Sequence, residues 1–516
     1  MQCKFIAKGE PCPYGAACKY EHDIPTFLKN RGEDIGPVCP FWVLLGFSYS
    51  PQNAHGYCPM GLNCRWAMSH TSASFEPIEK PQAEQTPYVE LNTFRSIPLQ
   101  IRKKTYVFQF DSWKQNAKNT PEIDASGIDI RETPSSRSFA AIGPILPPDR
   151  APLDFRGKIY IAPLTTVGNL PFRRICVELG ADITCSEMAM CGNLLHSCAS
   201  EWALLRRHPS EQCFGVQITT GKVEDAGYVC ELLRREGTVD FVDLNAGCPI
   251  DAVEKAGAGA GLLTKVGRLK RIVRCMLGSL ENVPLMVKVR TGDHENTSHR
   301  LVPQLQRIRG NRGNRVSGVI IHGRTKQGRY TKSADWEYIK ACAKSQDADL
   351  PRLQVIGNGD VFDNEDYWNR MEDGVLDGIM IGRGALIKPW ICTEIKERRH
   401  WDISAGERLE IVKRFCDYGL EHWGSDAQGV DRTRRFLLEW LSFLCRYVPI
   451  GLLEHPQTMQ QRPVAYVGRS ELETLLGSRR AEDWIKISEM FLGPVAEGFT
   501  FIPKHRSSAW VESEPK

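Results

Sequence analysis

With 516 residues, 42% of them hydrophobic and 25% charged, the chain is long enough for roughly two to four soluble domains with sizeable cores. No apolar run nears the roughly 18 residues of a membrane span, and Met1-Gln2-Cys3-Lys4 begins no apolar signal core, so a cytoplasmic or nuclear location and no membrane partner are expected. The net charge of +4 is too small to mark a general polyanion binder, its excess lies between residues 156 and 401, and eighteen cysteines in a reducing setting point to metal ligation, catalysis or packing rather than disulfides.

The chain opens with Cys3, Cys12, Cys18 and His22, spaced C-x8-C-x5-C-x3-H, which resembles the CCCH zinc-finger family. Four ligands in a segment too short to build a core can fold it around a tetrahedral zinc ion. Tyr14, Lys19 and Tyr20 beside them suit stacking on single-stranded RNA and contact with phosphate. A second set, Cys39, Cys58, Cys64 and His70, has the irregular spacing C-x18-C-x5-C-x5-H. Zinc is expected there too, with His55 as an alternative ligand and a metal-free remnant as the competing reading. The first ligand stands at residue 3, which leaves almost nothing upstream, so no N-terminal extension is expected. The first module is assigned to residues 1–26 and the second to 36–74.

Periodicity weakens over 75–155, read as a linker with one strand-like stretch, Leu99–Phe110, and a Ser/Pro-rich run, Thr133–Pro148. Lys103 and Lys104 could touch nucleic acid or simply keep the surface soluble.

From Lys158 to His400, Val- and Ile-rich runs alternate with helical segments about every 30 residues. Eight runs begin near Ile159, Asp182, Phe214, Phe241, Leu285, Gly318, Leu353 and Gly378. Eight such units over 156–401 predict an α/β fold of the (β/α)8 barrel type. Its site lies at the strand ends, which read Thr165, Glu187, Gln217, Asn245, Lys288 with Arg290, His322 with Arg324, Asn358 and Arg383. All are polar, as a ligand site requires. In the fourth run, Val239–Pro249, an apolar strand empties into a tight turn at Asn245, Gly247, Cys248 and Pro249, placing a thiol to give or take a proton. The last two ends, Gly357-Asn358-Gly359-Asp360 and Gly382-Arg383-Gly384, suit a phosphate. Gly257-Ala258-Gly259-Ala260-Gly261 lacks the third glycine of a dinucleotide fingerprint at the right offset, and helix-start packing suffices for it.

Residues 402–516 read as a helical, RNA-binding domain and tail. Phe436, Leu437, Trp440, Leu441, Phe443 and Leu444 form its clearest helical core, with Arg432, Arg434 and Arg435 open to an anionic partner or to nearby Asp431 and Glu439.

Six motifs in order, Ala162–Arg174, Asn245–Pro249, Val287–Gly292, His322–Thr325, Gly357–Asp360 and Ile381–Gly384, resemble the tRNA-dihydrouridine synthases. The fingers and Arg434–Leu441 are similar to the eukaryotic branch acting on the variable-loop uridine numbered 47. The resemblance implies FMN reduced by NADPH, with Pro163, Leu164 and Thr165 along the flavin and Gln217 and Lys288 on its ring. It implies His322 near the ribityl phosphate, and Asn358, Gly359, Asp360, Gly382 and Arg383 around the phosphate itself. Cys248 matches the family's proton donor. In that scheme reduced flavin passes hydride to C6 of uracil and Cys248 protonates C5. Expected partners are tRNA, with messenger RNA a second candidate, and NADPH; a monomer is expected. The rivals are an FMN barrel acting on a small molecule, which would need no RNA-type fingers, and a non-catalytic RNA-binding protein, against which Cys248, Lys288 and His322 argue.

Overall fold

The structure is a computed structural model that describes residues 2–41, 56–78, 88–110, 153–311, 313–461 and 465–504. Thr133–Pro148 and His55 lie outside the described residues. Two compact units emerge: Met1–Val89 with Asp402–Gln457 and Arg462–Lys516, and Glu90–Trp401 with Thr458–Gln461.

The second unit is the expected barrel. Eight parallel strands, β1 (Ile159–Ile161), β2 (Ile183–Cys185), β3 (Cys213–Thr219), β4 (Phe241–Ala246), β5 (Leu285–Arg290), β6 (Gly318–His322), β7 (Gln354–Asn358) and β8 (Gly378–Ile381), pair in sequence. The sheet closes where β1 pairs with β8 through Ile159↔Ile379 and Ile161↔Ile381. A two-residue strand, Ala189–Met190, extends the edge of β3. Each strand begins within one residue of the position its apolar run predicts.

Alternation along the strands separates two cores. Outward residues such as Val242, Leu244, Val287 and Val289 join the helices in one buried cluster. Inward residues Phe155, Tyr160, Cys185, Phe241, Met286, Ile320, Ile356 and Met380 fill the barrel itself. Above that filling the same inward register presents Gln217, Asn245, Lys288, His322 and Asn358, so polar side chains end the barrel where its core stops.

The strand expected over Leu99–Phe110 does not form. Ile97–Arg102 is a helix with proline in its first turn, where a missing N–H costs nothing. The chain beyond it is fastened by side chains instead of a ladder: Glu231 accepts from the backbone N–H groups of Gln109 (2.8 Å) and Phe110 (2.7 Å).

The first unit combines the N-terminal modules with the C-terminal helices. Ser404 and Glu407 form a capping box for Ala405–Trp423, and Asp426 caps Ala427–Leu444 by accepting from Gly429 at 2.8 Å. Leu437, Trp440, Leu441, Phe443 and Leu444 are buried as their spacing predicts, and Phe436 stacks on Trp423 at 4.5 Å. Arg434 is a structural group: it donates to Ser488 Oγ (2.7 Å) and to the carbonyls of Leu492 and Gly493 (2.6 Å each).

Candidate active site

The turn after β4 is held from three sides. Asn245 Oδ1 accepts from the backbone N–H groups of Gly247 (3.1 Å) and Cys248 (2.8 Å). Arg290 donates through Nε to the Gly247 carbonyl at 2.9 Å and through Nη1 to the Thr325 carbonyl at 2.9 Å. The Cys248 carbonyl accepts from Ala260 N–H at 2.9 Å. Gly259 lies against it with φ +56°, and a Cβ there would stand 2.6 Å from the Cys248 oxygen. The glycine run Gly257–Gly261 therefore packs the Cys248 turn, a role its sequence did not announce. Burial raises the Cys248 thiol above its ordinary pKa, against smaller lowering by the Ile250 N–H and the charges of Arg290 and Lys288, so the protonated thiol prevails at neutral pH.

A cleft opens over β1 and β5–β8, lined by Pro163, Leu164, Lys288, His322, Tyr330, Asn358, Gly359, Asp360, Gly382, Arg383 and Met459, among others. Lys288 Nζ donates to Asn358 Oδ1 at 3.2 Å, and Asn358 Nδ2 donates to the Met380 carbonyl at 2.8 Å. Burial, aided by Lys288, Arg290, Arg324 and Arg383, holds His322 well below its ordinary pKa. The imidazole is neutral, and because its Nε2 lies 3.3 Å from the Arg324 guanidinium it accepts there and carries its proton on Nδ1.

Arg324 and Arg383 converge on one carboxylate, Asp360, at 2.5 and 2.9 Å, and Ala334 N–H adds a third bond at 2.7 Å. Burial pushes Asp360 up, but the Arg324 bond, the Ala334 N–H and the two charges together hold it below its ordinary pKa. An acid so occupied cannot itself bind phosphate; it aims two guanidiniums. Its neighbour Gly359 takes φ +136°, and a Cβ there would meet Ala334 at 2.5 Å. The Arg383 guanidinium also stacks 4.2 Å from the Tyr330 ring centre.

Nine of the eleven expected cofactor residues thus line one cleft. Thr165 is exposed and outside its lining. Gln217 lies below the cleft, 1% exposed, where its Nε2 donates to Asp243 at 2.7 Å and its Oε1 accepts from Asn245 at 2.9 Å. Asp243, Tyr330 and Met459 were not singled out by the sequence reading. Asp243 sits inside an apolar run, Tyr330 lies in the loop past the His322–Thr325 motif, and Met459 is far from any motif.

The donor set fits FMN. An apolar wall of Pro163, Leu164, Met380 and Met459 suits a flat ring, Lys288 and Asn358 offer polar edges, and the Arg383 guanidinium with the Gly359 and Gly382 backbone suits a phosphate.

The two metal-ligand sets also assemble. In each, Cys3/Cys12/Cys18/His22 and Cys39/Cys58/Cys64/His70, all four ligand atoms lie within 4.8 Å of one another. His22 Nε2 and His70 Nε2 are buried without a hydrogen-bond partner among the described residues. Cys39 and Cys64 sulfurs stand 3.7 Å apart, and tetrahedral Zn–S bonds of about 2.3 Å would put them about 3.8 Å apart. Both sets fit zinc.

The family Dihydrouridine synthase (Dus) matches residues 160–442, more than half of the chain. The chain belongs to the dihydrouridine synthase family. Its members are flavin-dependent, NAD(P)H-linked oxidoreductases. The DUS3L CCCH zinc finger domain matches residues 2–30, the first ligand set. A protein of Xenopus laevis named tRNA-dihydrouridine(47) synthase-like is 45% identical over 97% of this chain and 78% of its own length. Proteins of the same name from Arabidopsis thaliana (53% identical, 99% and 80% covered) and Homo sapiens (44% identical, 97% and 79% covered) are similarly close.

Proposed function

We propose that this dihydrouridine synthase reduces uridine 47 in the variable loop of tRNA, with Cys248 as the proton donor. The observation that carries the reading is the protonated Cys248 thiol, on a turn fixed by Asn245, Arg290 and Ala260, next to the Lys288 end of the cleft. When bound, FMN supplies the hydride for C6 of the uracil and is recharged by NADPH.

The chain's own residues do the rest. Lys288 and Asn358 would orient the polar edge of the cofactor, while Arg383, held by Asp360 with buried Arg324 on the carboxylate's other oxygen, would hold its phosphate. Cys248 transfers its proton to C5 of the uracil, and solvent returns a proton to the sulfur. The uracil must leave the RNA stack to reach this position. Tyr14 and Tyr20, 65% and 53% exposed beside the first ligand set, offer stacking faces that add RNA affinity.

The test is to map dihydrouridine across tRNA from cells with and without this protein, and to repeat it with purified enzyme, NADPH and unmodified tRNA. Loss and restoration at position 47 is the expected result; an unchanged position 47 overturns the assignment. Messenger RNA included in the same mapping tests the second candidate substrate. Arg383→Ala is expected to weaken FMN binding to the apoprotein by roughly ten- to hundredfold, read by flavin fluorescence, because a charge-assisted phosphate contact is lost. Wild-type affinity in that variant would remove Arg383 from the phosphate site.

A further inference from the structure

The barrel interior below the cleft holds an acid with no role in the mechanism. Asp243 is fully buried on β4, pointing into the barrel between Phe241 below and Asn245 above. Tyr160, Cys185, Met286, Ile320, Ile356 and Met380 surround it with an apolar layer. A carboxylate is costly to place there unless it is paired and hydrogen-bonded. Among the described residues its Oδ1 has no hydrogen-bond partner, and its Oδ2 accepts one bond, from Gln217 Nε2 at 2.7 Å. Packing alone would have chosen a hydrocarbon.

The bond it does make sets the direction of three others. An ionised carboxylate only accepts, so Gln217 must turn its Nε2 downward. Its Oε1 then faces up and accepts from Asn245 Nδ2 at 2.9 Å. Asn245 is left with Oδ1 toward the chain, where it accepts from the N–H groups of Gly247 and Cys248. Either amide alone could flip at little cost; a single acceptor-only group at the foot of the series removes that freedom.

We propose that Asp243 is a positioning residue for uridine reduction: through Gln217 and Asn245 it fixes the turn that presents Cys248. This rests on the reading of Cys248 as proton donor.

The electrostatics agree with the geometry. Burial raises Asp243 to about 6, opposed by the Gln217 bond and by Lys288, and burial lowers Lys288 to about 8, opposed chiefly by Asp243. At neutral pH both are charged. The other titratable or charged groups facing the pair are Tyr160 on β1, Cys185 on β2, Arg290 on β5, Cys248 beyond β4 and His322 on β6. Among those named, Asp243 is the one group that is anionic at neutral pH.

Asp243→Asn keeps the size and can still accept from Gln217, but it loses the charge and can also donate. In the FMN-loaded enzyme, amide exchange at Gly247 and Cys248 should speed up by about tenfold with an unchanged melting temperature. Without its counter-charge Lys288 gives up its proton more easily, so the alkaline limb of tRNA reduction should move to lower pH, by about one unit. Gln217→Met breaks the same relay one step up, should likewise speed exchange at Gly247 and Cys248, and stands in for Asp243→Asn should that variant not fold. Wild-type exchange in both variants, or an unmoved alkaline limb in Asp243→Asn, overturns the proposal. Amide exchange does not depend on turnover. A fully active Cys248→Ala would therefore refute the proton-donor reading while leaving the measurement of the turn intact.

Discussion

Cys248→Ala is expected to lower dihydrouridine formation by about 10²- to 10⁴-fold, the range of a positioned general acid, while FMN binding and flavin reduction by NADPH stay at wild-type levels. The change removes only the sulfur. The Cys248 N–H bond to Asn245 and the carbonyl bond from Ala260 are backbone contacts that alanine keeps, so the turn and the cleft survive. The thiol touches the reaction at one point, the proton for C5. Because burial raises its pKa, the donor form persists into alkaline solution and is lost only as the pH rises through that raised value. A nucleophilic cysteine would need the opposite shift. Single-turnover reduction of tRNA by pre-reduced enzyme isolates the step, and wild-type rates in the alanine variant would end the donor assignment.

What the sequence made legible, and what it hid, follows from which interactions are local. Barrel strands announce themselves because a strand covered on both sides is a continuous apolar run, and the polar residue that ends each run stands where the barrel opens. That logic found Lys288, His322, Asn358 and Arg383 before any contact was known. It passed over Asp243, since one acid inside Phe241–Ala246 reads as a blemish in a strand; only the pairing Gln217↔Asp243 reveals a partner. Asp360 was expected to hold a phosphate, and the structure instead engages its carboxylate with two guanidiniums. Sequence gives an acid next to glycine, and the two guanidiniums that occupy it come from positions 324 and 383. The error over Leu99–Phe110 has a similar origin: alternating Tyr106, Phe108 and Phe110 fit a strand, yet Phe108 and Phe110 pack on Tyr228, Tyr106 packs on Phe108, and among the described residues the segment pairs with no strand. The joining of residues 2–78 to the C-terminal helices spans more than 300 residues of chain, and no local pattern records it.

Removing zinc from the second ligand set is expected to destabilise the C-terminal helices as well as the finger. Cys64 is the joint. Its sulfur accepts from Ser425 Oγ at 3.2 Å, Cys58 lies 3.7 Å from the same hydroxyl, and Arg65 N–H donates to the Ser425 carbonyl at 2.9 Å. Cys64 also forms a backbone bridge with Asp426, the residue whose side chain caps Ala427–Leu444. The metal set therefore braces the start of the helix that carries Trp440 and Leu441, with Ser425 steadying its thiolate ligands. Structural zinc contributes about 10–16 kcal/mol to small modules, comparable with the about 5–15 kcal/mol by which a whole domain is stable. Cys64→Ser in the full chain should thus lose one zinc and lower the melting transition of this unit by well over 10 °C, while the barrel keeps its flavin. Cys18→Ser should lose the other zinc with a smaller change in melting, because Cys12 and Cys18 are partly exposed and neither bonds to the cap of a C-terminal helix as Cys64 does. Its larger effect should be on tRNA affinity, through Tyr14 and Tyr20. Equal melting shifts from the two variants would show that the second set is no brace. An unchanged zinc content in Cys64→Ser would remove Cys64 from the ligand set altogether.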